Sequence, residues 1–349
     1  MSIPLSKIKF AVVGSTGVVG RKILNILSEY GIPVKNIFAL ASNKSKGKEI
    51  SYGDDHILKA IPLDDFDFSN VQIAFFSAGS DVSKLYAEKA TKKGCIVIDN
   101  TSHFRMDEDV PLIIPEINSH EIKNMKRNII SNPNCSTTQL AMALKPIHEI
   151  NKVSKVIVST YQSVSGAGHE AMQELMDNSK AVFMGDEKKS SKFTKPITFN
   201  AIPHIDSFLE NGETKEEWKM RVEIQKLIDK KIQLSATCVR LPIFIGHSIS
   251  TYVECESEVN IDKIYTALEN FDGIRVVDDV SKNEYITPIE SQNMDDVYVS
   301  RVRKDPHNKK AFWMWVVSDN LRKGAALNSV QIAEAICDEH QSLIKIDNI

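Results

Sequence analysis

Residues 8–13 (IKFAVV) form a short apolar run with β-branched side chains, the pattern of a buried strand. Over residues 18–30 the spacing turns helical, with Val19, Ile23, Ile26 and Leu27 on one face. Strands are then predicted at 37–41, 73–76 and 95–99, with a helix at 82–93. Strand alternating with helix predicts a parallel α/β sheet. Beyond residue 153 the texture changes. Longer strands are predicted in KVIVSTYQSV, QLSATCVRLPIF and SISTYVECE, and helices over 167–182 and 215–230. That mixture predicts a second, α+β unit with a mainly antiparallel sheet. Residues 328–342 return to amphipathic spacing through Val330, Ile332, Ala333 and Ile336, a helix expected to pack on the first unit.

A chain of 349 residues suits two domains. With 42% hydrophobic and 26% charged residues it is ordinary globular material. The 43 basic and 46 acidic residues leave a formal charge of -3, which removes the basic footprint of a nucleic-acid binder. The lysine cluster over 188–195 then reads as a solvated loop. Five cysteines without close pairs or metal-ligand spacing predict neither a disulfide framework nor a metal site. No signal pattern or membrane-length apolar run is present, so a cytoplasmic protein without a membrane partner is expected.

Between the first strand and helix lies Gly14-Ser15-Thr16-Gly17-Val18-Val19-Gly20. Glycines there permit a tight turn and close approach of a pyrophosphate to a helix N-terminus, although the spacing departs from G-x-G-x-x-G. An NAD-type site places an acidic residue at the end of the second strand. Here the sequence reads Ala41-Ser42-Asn43-Lys44-Ser45-Lys46, which suits the 2'-phosphate of NADP and equally suits a solvated basic turn.

In Ser131-Asn-Pro-Asn134-Cys135-Ser-Thr-Thr, a strand enters a turn and a helix begins just past the cysteine. The unpaired N–H groups and dipole of a helix N-terminus favour a thiolate. Cys95, Cys238, Cys255 and Cys337 lie in apolar patterns and read as buried small hydrophobes. A thiolate beside a nicotinamide suggests hydride chemistry at the acyl level, which calls for a general base. His247, after Pro242-Ile-Phe-Ile-Gly246, is the histidine best placed, against the commoner structural or surface role.

Across almost the whole chain, GSTGVVG, FFSAG, VIDNTSHFR, VPLIIPEIN, SNPNCSTTQL, TYQSVSGAG, FNAIPHID, TKEEWKM, VRLPIFIGHS and DNLRKGAALN resemble the bacterial aspartate-β-semialdehyde dehydrogenases. The resemblance implies a Rossmann-type NADP-binding domain over residues 1–134 plus 322–349. It implies an α+β catalytic and dimerisation domain over 135–321. It makes Cys135 the nucleophile, Gln162 an orienting group for substrate and thioester, and His247 the acid/base. Arg240 would pair with the substrate α-carboxylate, and Glu223 would take the α-amino group. Lys226, three residues after Glu223 on a predicted helix, would bind phosphate with Arg105, beside Asn134. Without the resemblance, Glu223 and Lys226 read as a surface charge pair. For NADP, the resemblance points to Gly14, Ser15, Thr16, Gly17, Val18, Val19, Ser42, Lys44, Ser45 and Ser77-Ala78-Gly79. Ser165, Gly166 and Asn320 would meet its nicotinamide half. Ser42-Asn-Lys-Ser departs from the family's usual serine-arginine-serine.

The expected reaction is NADPH-dependent conversion of L-aspartyl-4-phosphate to aspartate semialdehyde and inorganic phosphate, by a homodimer or dimer of dimers. The pathway would lead to diaminopimelate, lysine, threonine and methionine. An N-acetylglutamyl-phosphate reductase is the nearest rival, from which a carboxylate aimed at a free ammonium discriminates. A dinucleotide-binding regulator without turnover would need none of Cys135, His247, Arg240 or Lys226.

Overall fold

The structure is a computed structural model describing residues 3–186 and 190–344. Lys188 and Lys189 of the lysine cluster lie outside the described residues. The chain divides into two units, Met1–Pro133 with Ala325–Ile349, and Asn134–Gly324.

In the first unit, β1 (Phe10–Val13) leads through the glycine turn to α1 (Val18–Glu29) and β2 (Ile37–Ala41). A hairpin of β3 (Glu49–Tyr52) and β4 (His56–Lys59) follows, then β5 (Ile61–Pro62), β6 (Ile73–Phe76), α2 (Ser80–Lys92) and β7 (Ile96–Asp99). A one-turn α3 (Pro115–Asn118) and β8 (Ile129–Ser131) complete it. The sheet runs β5-β2-β1-β6-β7-β8 and is parallel throughout. Strands β1, β6 and β7 are buried at every position, because helices and loops cover both faces of a parallel sheet. The order reverses at β1, and in such sheets ligands bind beyond the strand C-termini at this point. The chain's last helix, Leu327–Glu339, joins this unit's core, with Val330, Ile332, Ala333 and Ile336 buried beside Ile23 and Ile26 of α1.

In the second unit, α4 (Cys135–Ile150) is buried along most of its length. Its apolar side chains Leu140, Met142, Leu144 and Ile147 are wholly buried, each contributing about 1.5 to 3 kcal/mol. There follow β9 (Val153–Gln162), α5 (His169–Met184), α6 (Lys215–Leu227), β10 (Gln233–Arg240) and β11 (His247–Cys255). Then come α7 (Ile261–Glu269), β12 (Ile274–Val276), β13 (Val297–Lys304) and β14 (Ala311–Ser318). The sheet order is β10-β9-β11-β14-β13-β12, antiparallel except for the outer pairs β10/β9 and β12/β13. The fold class is thus the predicted one, α/β followed by α+β. The strand predicted through QLSATCVRLPIF ends at Arg240, because Pro242 has no N–H for a ladder. The helix after the Asn-Pro-Asn turn begins at Cys135 itself.

Candidate active site

In the first unit, Gly14 adopts φ +88, and a Cβ there would stand 2.9 Å from the Ser77 carbonyl carbon and oxygen. A Cβ on Gly20 would run into the Gly14 main chain. These glycines are therefore required by the meeting of β1, α1 and the end of β6. The N–H and hydroxyl of Ser15 both donate to Leu40 O, and the N–H and hydroxyl of Ser77 to Val13 O. Gly17 caps α1 without a side-chain hydrogen bond, which leaves the first-turn N–H groups to an anion. Around this mouth Thr16, Val18, Val19 and Ser77 are half-buried, and Gly17, Ala78 and Gly79 exposed. After β2, a 3-10 turn (Asn43–Ser45) exposes Ser42 and Lys44 and half-buries Ser45, and residues 41–46 contain no carboxylate. The backbone cradle fits a dinucleotide, and Asn43 of the turn donates to Asp64 Oδ2 (2.8 Å). Arg105, also in this unit, is buried and donates from Nε to Asn132 O (2.9 Å) and from Nη2 to Asn100 O (2.9 Å).

In the second unit, Cys135 is the first residue of α4 and the one cysteine of five that is not buried. Burial pushes the Cys255 and Cys337 thiols up to about 12, and Cys95 and Cys238 higher still. Asn134 caps α4, its Oδ1 accepting from the N–H groups of Ser136 (2.9 Å) and Thr137 (3.2 Å). The α4 dipole favours negative charge on Cys135. A Cβ on Gly324 would stand 2.9 Å from Cys135 Cβ, so that glycine leaves the cysteine its room.

Asn134 also ties α4 to α6. Its main-chain N–H donates to Glu223 Oε2 (2.7 Å) and its Nδ2 to Glu216 Oε1 (2.9 Å). The same Glu216 oxygen accepts from Gln162 Nε2 (3.2 Å), whose Oε1 accepts from Thr160. Lys219 Nζ lies 3.2 Å from Glu216 Oε2 and 2.6 Å from Asp206 Oδ2. Burial alone would raise the Glu216 carboxyl, but Lys219, Asn134, Arg240 and Gln162 outweigh it and hold the group below its usual range. A capping box between Thr214 and Glu217 fixes where α6 starts, and hence its buried stripe of Glu216, Met220, Glu223 and Leu227.

The two carboxylates of this stripe reach Asn134 at different atoms, Glu223 at the main-chain N–H and Glu216 at Nδ2, with Lys226 one turn beyond Glu223 and Lys219 one turn beyond Glu216. Glu216 and Lys219 of the TKEEWKM motif are neighbours of the site that the sequence reading did not single out. A sequence signal existed, since carboxylates occupy two of four positions where the helical period calls for apolar residues.

Arg240 ends β10, is buried, and donates from Nη1 to Ser163 O (2.6 Å). Burial pulls its pKa down, opposed by Glu216 and Cys135. His247 opens β11 after Gly246 (φ +97) and is fully buried. Its Nδ1 lies 3.1 Å from the Ser163 main-chain nitrogen and 3.0 Å from Ser163 Oγ. Asn320 Oδ1 accepts from Gly246 N (2.9 Å) and from the hydroxyls of Ser163 (3.1 Å) and Ser165 (3.2 Å). A Cβ on Gly166 would stand 3.1 Å from Arg240 Nη1 and 3.3 Å from His247 Nε2. Cys135, Gln162, Asn134, Arg240, His247, Ser165, Gly166 and Asn320 thus belong to one unit with Glu216 and Lys219. Among the described residues no cluster of His, Cys, Asp or Glu has metal-binding geometry, and no helix is long and apolar enough to cross a membrane.

The family model for the NAD binding domain of semialdehyde dehydrogenases matches residues 9–125, and that for their dimerisation domain matches 144–323. The class is therefore a semialdehyde dehydrogenase, an oxidoreductase with an NAD(P)-binding Rossmann domain. The chain is 47% identical over 331 residues to the aspartate-semialdehyde dehydrogenase of Rickettsia bellii, covering 95% of this chain and 98% of that one. It is 47% identical over 335 residues to that of Aquifex aeolicus, covering 95% and 98%. The solved Vibrio cholerae aspartate semialdehyde dehydrogenase II, described as complexed with ASA, is similar with TM-score 0.91 and 42% identity over 94% of this chain and 98% of that one. The chain belongs to the aspartate-semialdehyde dehydrogenase family.

Proposed function

We propose that the protein carries out the NADPH-dependent reductive dephosphorylation of L-aspartyl-4-phosphate to L-aspartate 4-semialdehyde through a thioester on Cys135. The observation that carries this reading is the pairing of charges in the second unit. Arg240 offers a planar, two-pronged donor to an α-carboxylate, and Glu223, about two turns along α6 from Glu216, offers a carboxylate to an α-ammonium. An acylated nitrogen carries no charge for Glu223 to meet, which argues against N-acetylated substrates. Cys135 attacks the acyl carbon, and phosphate departs. Gln162, tied to Glu216 and Thr160, orients the bound acyl group, and Lys226 is the proposed phosphate cation of this unit. NADPH, when bound at the glycine turn of the first unit, supplies the hydride, and Lys44 and Ser42 would read its 2'-phosphate. We further propose a cytoplasmic homodimer or dimer of dimers in the supply of diaminopimelate, lysine, threonine and methionine.

The assay runs in reverse. Aspartate semialdehyde and phosphate should reduce NADP, and Cys135→Ala should lower the rate more than about a thousandfold. Full turnover in that variant would sink the mechanism.

A further inference from the structure

We infer that Asp319 is a positioning residue for the reaction: its buried carboxylate fixes the turn 319–324 and, through it, holds Asn320 at the Ser165–Gly166 loop and Gly324 against Cys135. This deepens the proposed function and rests on it for the roles of Cys135 and of the nicotinamide.

Asp319 directly follows β14 and is wholly buried. Taking a carboxylate out of water is costly unless its oxygens are hydrogen-bonded, and here main-chain donors serve both. Oδ1 accepts from the N–H groups of Leu321 (2.8 Å) and Arg322 (3.1 Å), which turns the chain back as it leaves the strand. The Asp319 carbonyl accepts from the N–H groups of Arg322 (3.2 Å) and Gly324 (3.3 Å). Oδ2 reaches a second segment, accepting from the N–H of Asn293 (2.8 Å), a residue held at φ +63. That segment backs the start of β11. A Cβ on Gly246 would stand 2.8 Å from Pro288 O, Gln292 Nε2 donates to Ile245 O (3.4 Å), and Asp295 Oδ1 accepts from Arg322 Nε (2.5 Å). One carboxylate thus joins the turn to the segment that supports its neighbours.

The turn brings two parts of the site together. Asn320 Nδ2 donates to Ser165 Oγ (3.0 Å), while its Oδ1 accepts from Gly246 N and from the Ser163 and Ser165 hydroxyls. This ties it to the loop proposed to meet the nicotinamide. At the other end, a Cβ on Gly324 would stand 2.9 Å from Cys135 Cβ and 3.2 Å from its Cα. Hydride transfer requires the nicotinamide and the carbon carried on sulfur to meet in one geometry, and a misplacement of about 1 Å costs on the order of a hundredfold. The turn between Asn320 and Gly324 sets that geometry, and Asp319 sets the turn. Both carboxylate oxygens face main-chain donors, so Asp319 orients and passes no proton.

Two substitutions and two readouts test this. Asp319→Ala removes both sets of bonds, whereas Asp319→Asn keeps an oxygen for Leu321 and Arg322 and turns an N–H toward that of Asn293. For phosphate-dependent oxidation of aspartate semialdehyde, kcat should fall about a hundredfold in Asp319→Ala and about tenfold in Asp319→Asn, with KM for the aldehyde and for NADP within about threefold. Cys135 is the one cysteine that is not buried, so its alkylation by iodoacetamide reports the thiol without turnover. That rate should change at least about fivefold in both variants, because Gly324 no longer holds its place beside the sulfur. A carboxylate that serves only the architecture would lower the melting temperature and leave kcat and alkylation of the folded protein as in wild type. Unchanged kcat, unchanged alkylation, or a loss expressed in KM alone would each overturn the inference. If Asp319→Ala does not fold, Asp319→Asn decides. If neither folds, hydrogen exchange in wild-type protein does: the amides of Asn293, Leu321 and Arg322 should open together, and separate opening would overturn the inference. The proposed function fails separately, if wild-type protein shows no phosphate-dependent NADP reduction with this aldehyde, and the alkylation comparison still stands in that case.

Discussion

The glycine turn of the first unit and the charge cluster of the second are built by opposite means. Backbone makes the turn: Gly14 and Gly20 exist so that a strand, a helix and the end of β6 can approach, and Ser15 and Ser77 spend their hydroxyls on carbonyls. Side chains make the cluster: Glu216 gathers Asn134, Gln162 and Lys219, while Ser163 holds Arg240 and His247. A backbone site tolerates variation in the side chains around it and reads shape and charge loosely. A site of buried, mutually bonded charges fails when one partner is removed, because the remaining group is left unpaired in a poor solvent.

The sharpest way to break this contrast is at the buried carboxylates of α6. Glu223→Gln keeps an acceptor for the Asn134 amide but should raise KM for aspartate semialdehyde about a hundredfold, because an ammonium loses its charged partner. Steady-state kinetics decide it, and an unchanged KM would remove Glu223 from substrate binding.

Next in size is a pH effect on stability. The folded pKa of His247, about 3, lies below its unfolded value, so below pH 6.5 the unfolded chain binds a proton that the folded chain refuses. Stability should therefore fall as pH drops from 6.5 toward 3, by about 1.4 kcal/mol per unit from this group. Denaturant unfolding at several pH values, compared with His247→Gln, isolates that share. An unchanged slope in the variant would show that the buried ring is not responsible.

The smallest effect belongs to the backbone site. Lys44 is exposed, so its attraction for a phosphate is screened. Lys44→Glu should shift the NADP-to-NAD preference only about five- to tenfold, read as a ratio of kcat/KM. No shift would exclude Lys44 as the reader of the 2'-phosphate.

The same contrast governs what the sequence discloses. The turn and its flanking elements are contiguous over 20 residues and carry their period openly, as do Cys135 and its helix start. β14 does not, because AFWMWVVS is apolar at nearly every position and period alone cannot separate a strand from a buried helix. What Glu216 and Glu223 each hold is hidden for another reason. Both fall on the buried stripe of α6, and their partners Asn134 and Gln162 approach from other elements. The partner of His247 Nδ1 is likewise a main-chain N–H 84 positions away in the chain.

Ser163 lends its N–H to His247 and its carbonyl to Arg240. One residue thereby yokes the guanidinium proposed for the substrate carboxylate to the buried imidazole. A change that re-aims Arg240 toward a different carboxylate would drag on the imidazole through this shared anchor, so substitutions at the two positions are expected to be non-additive.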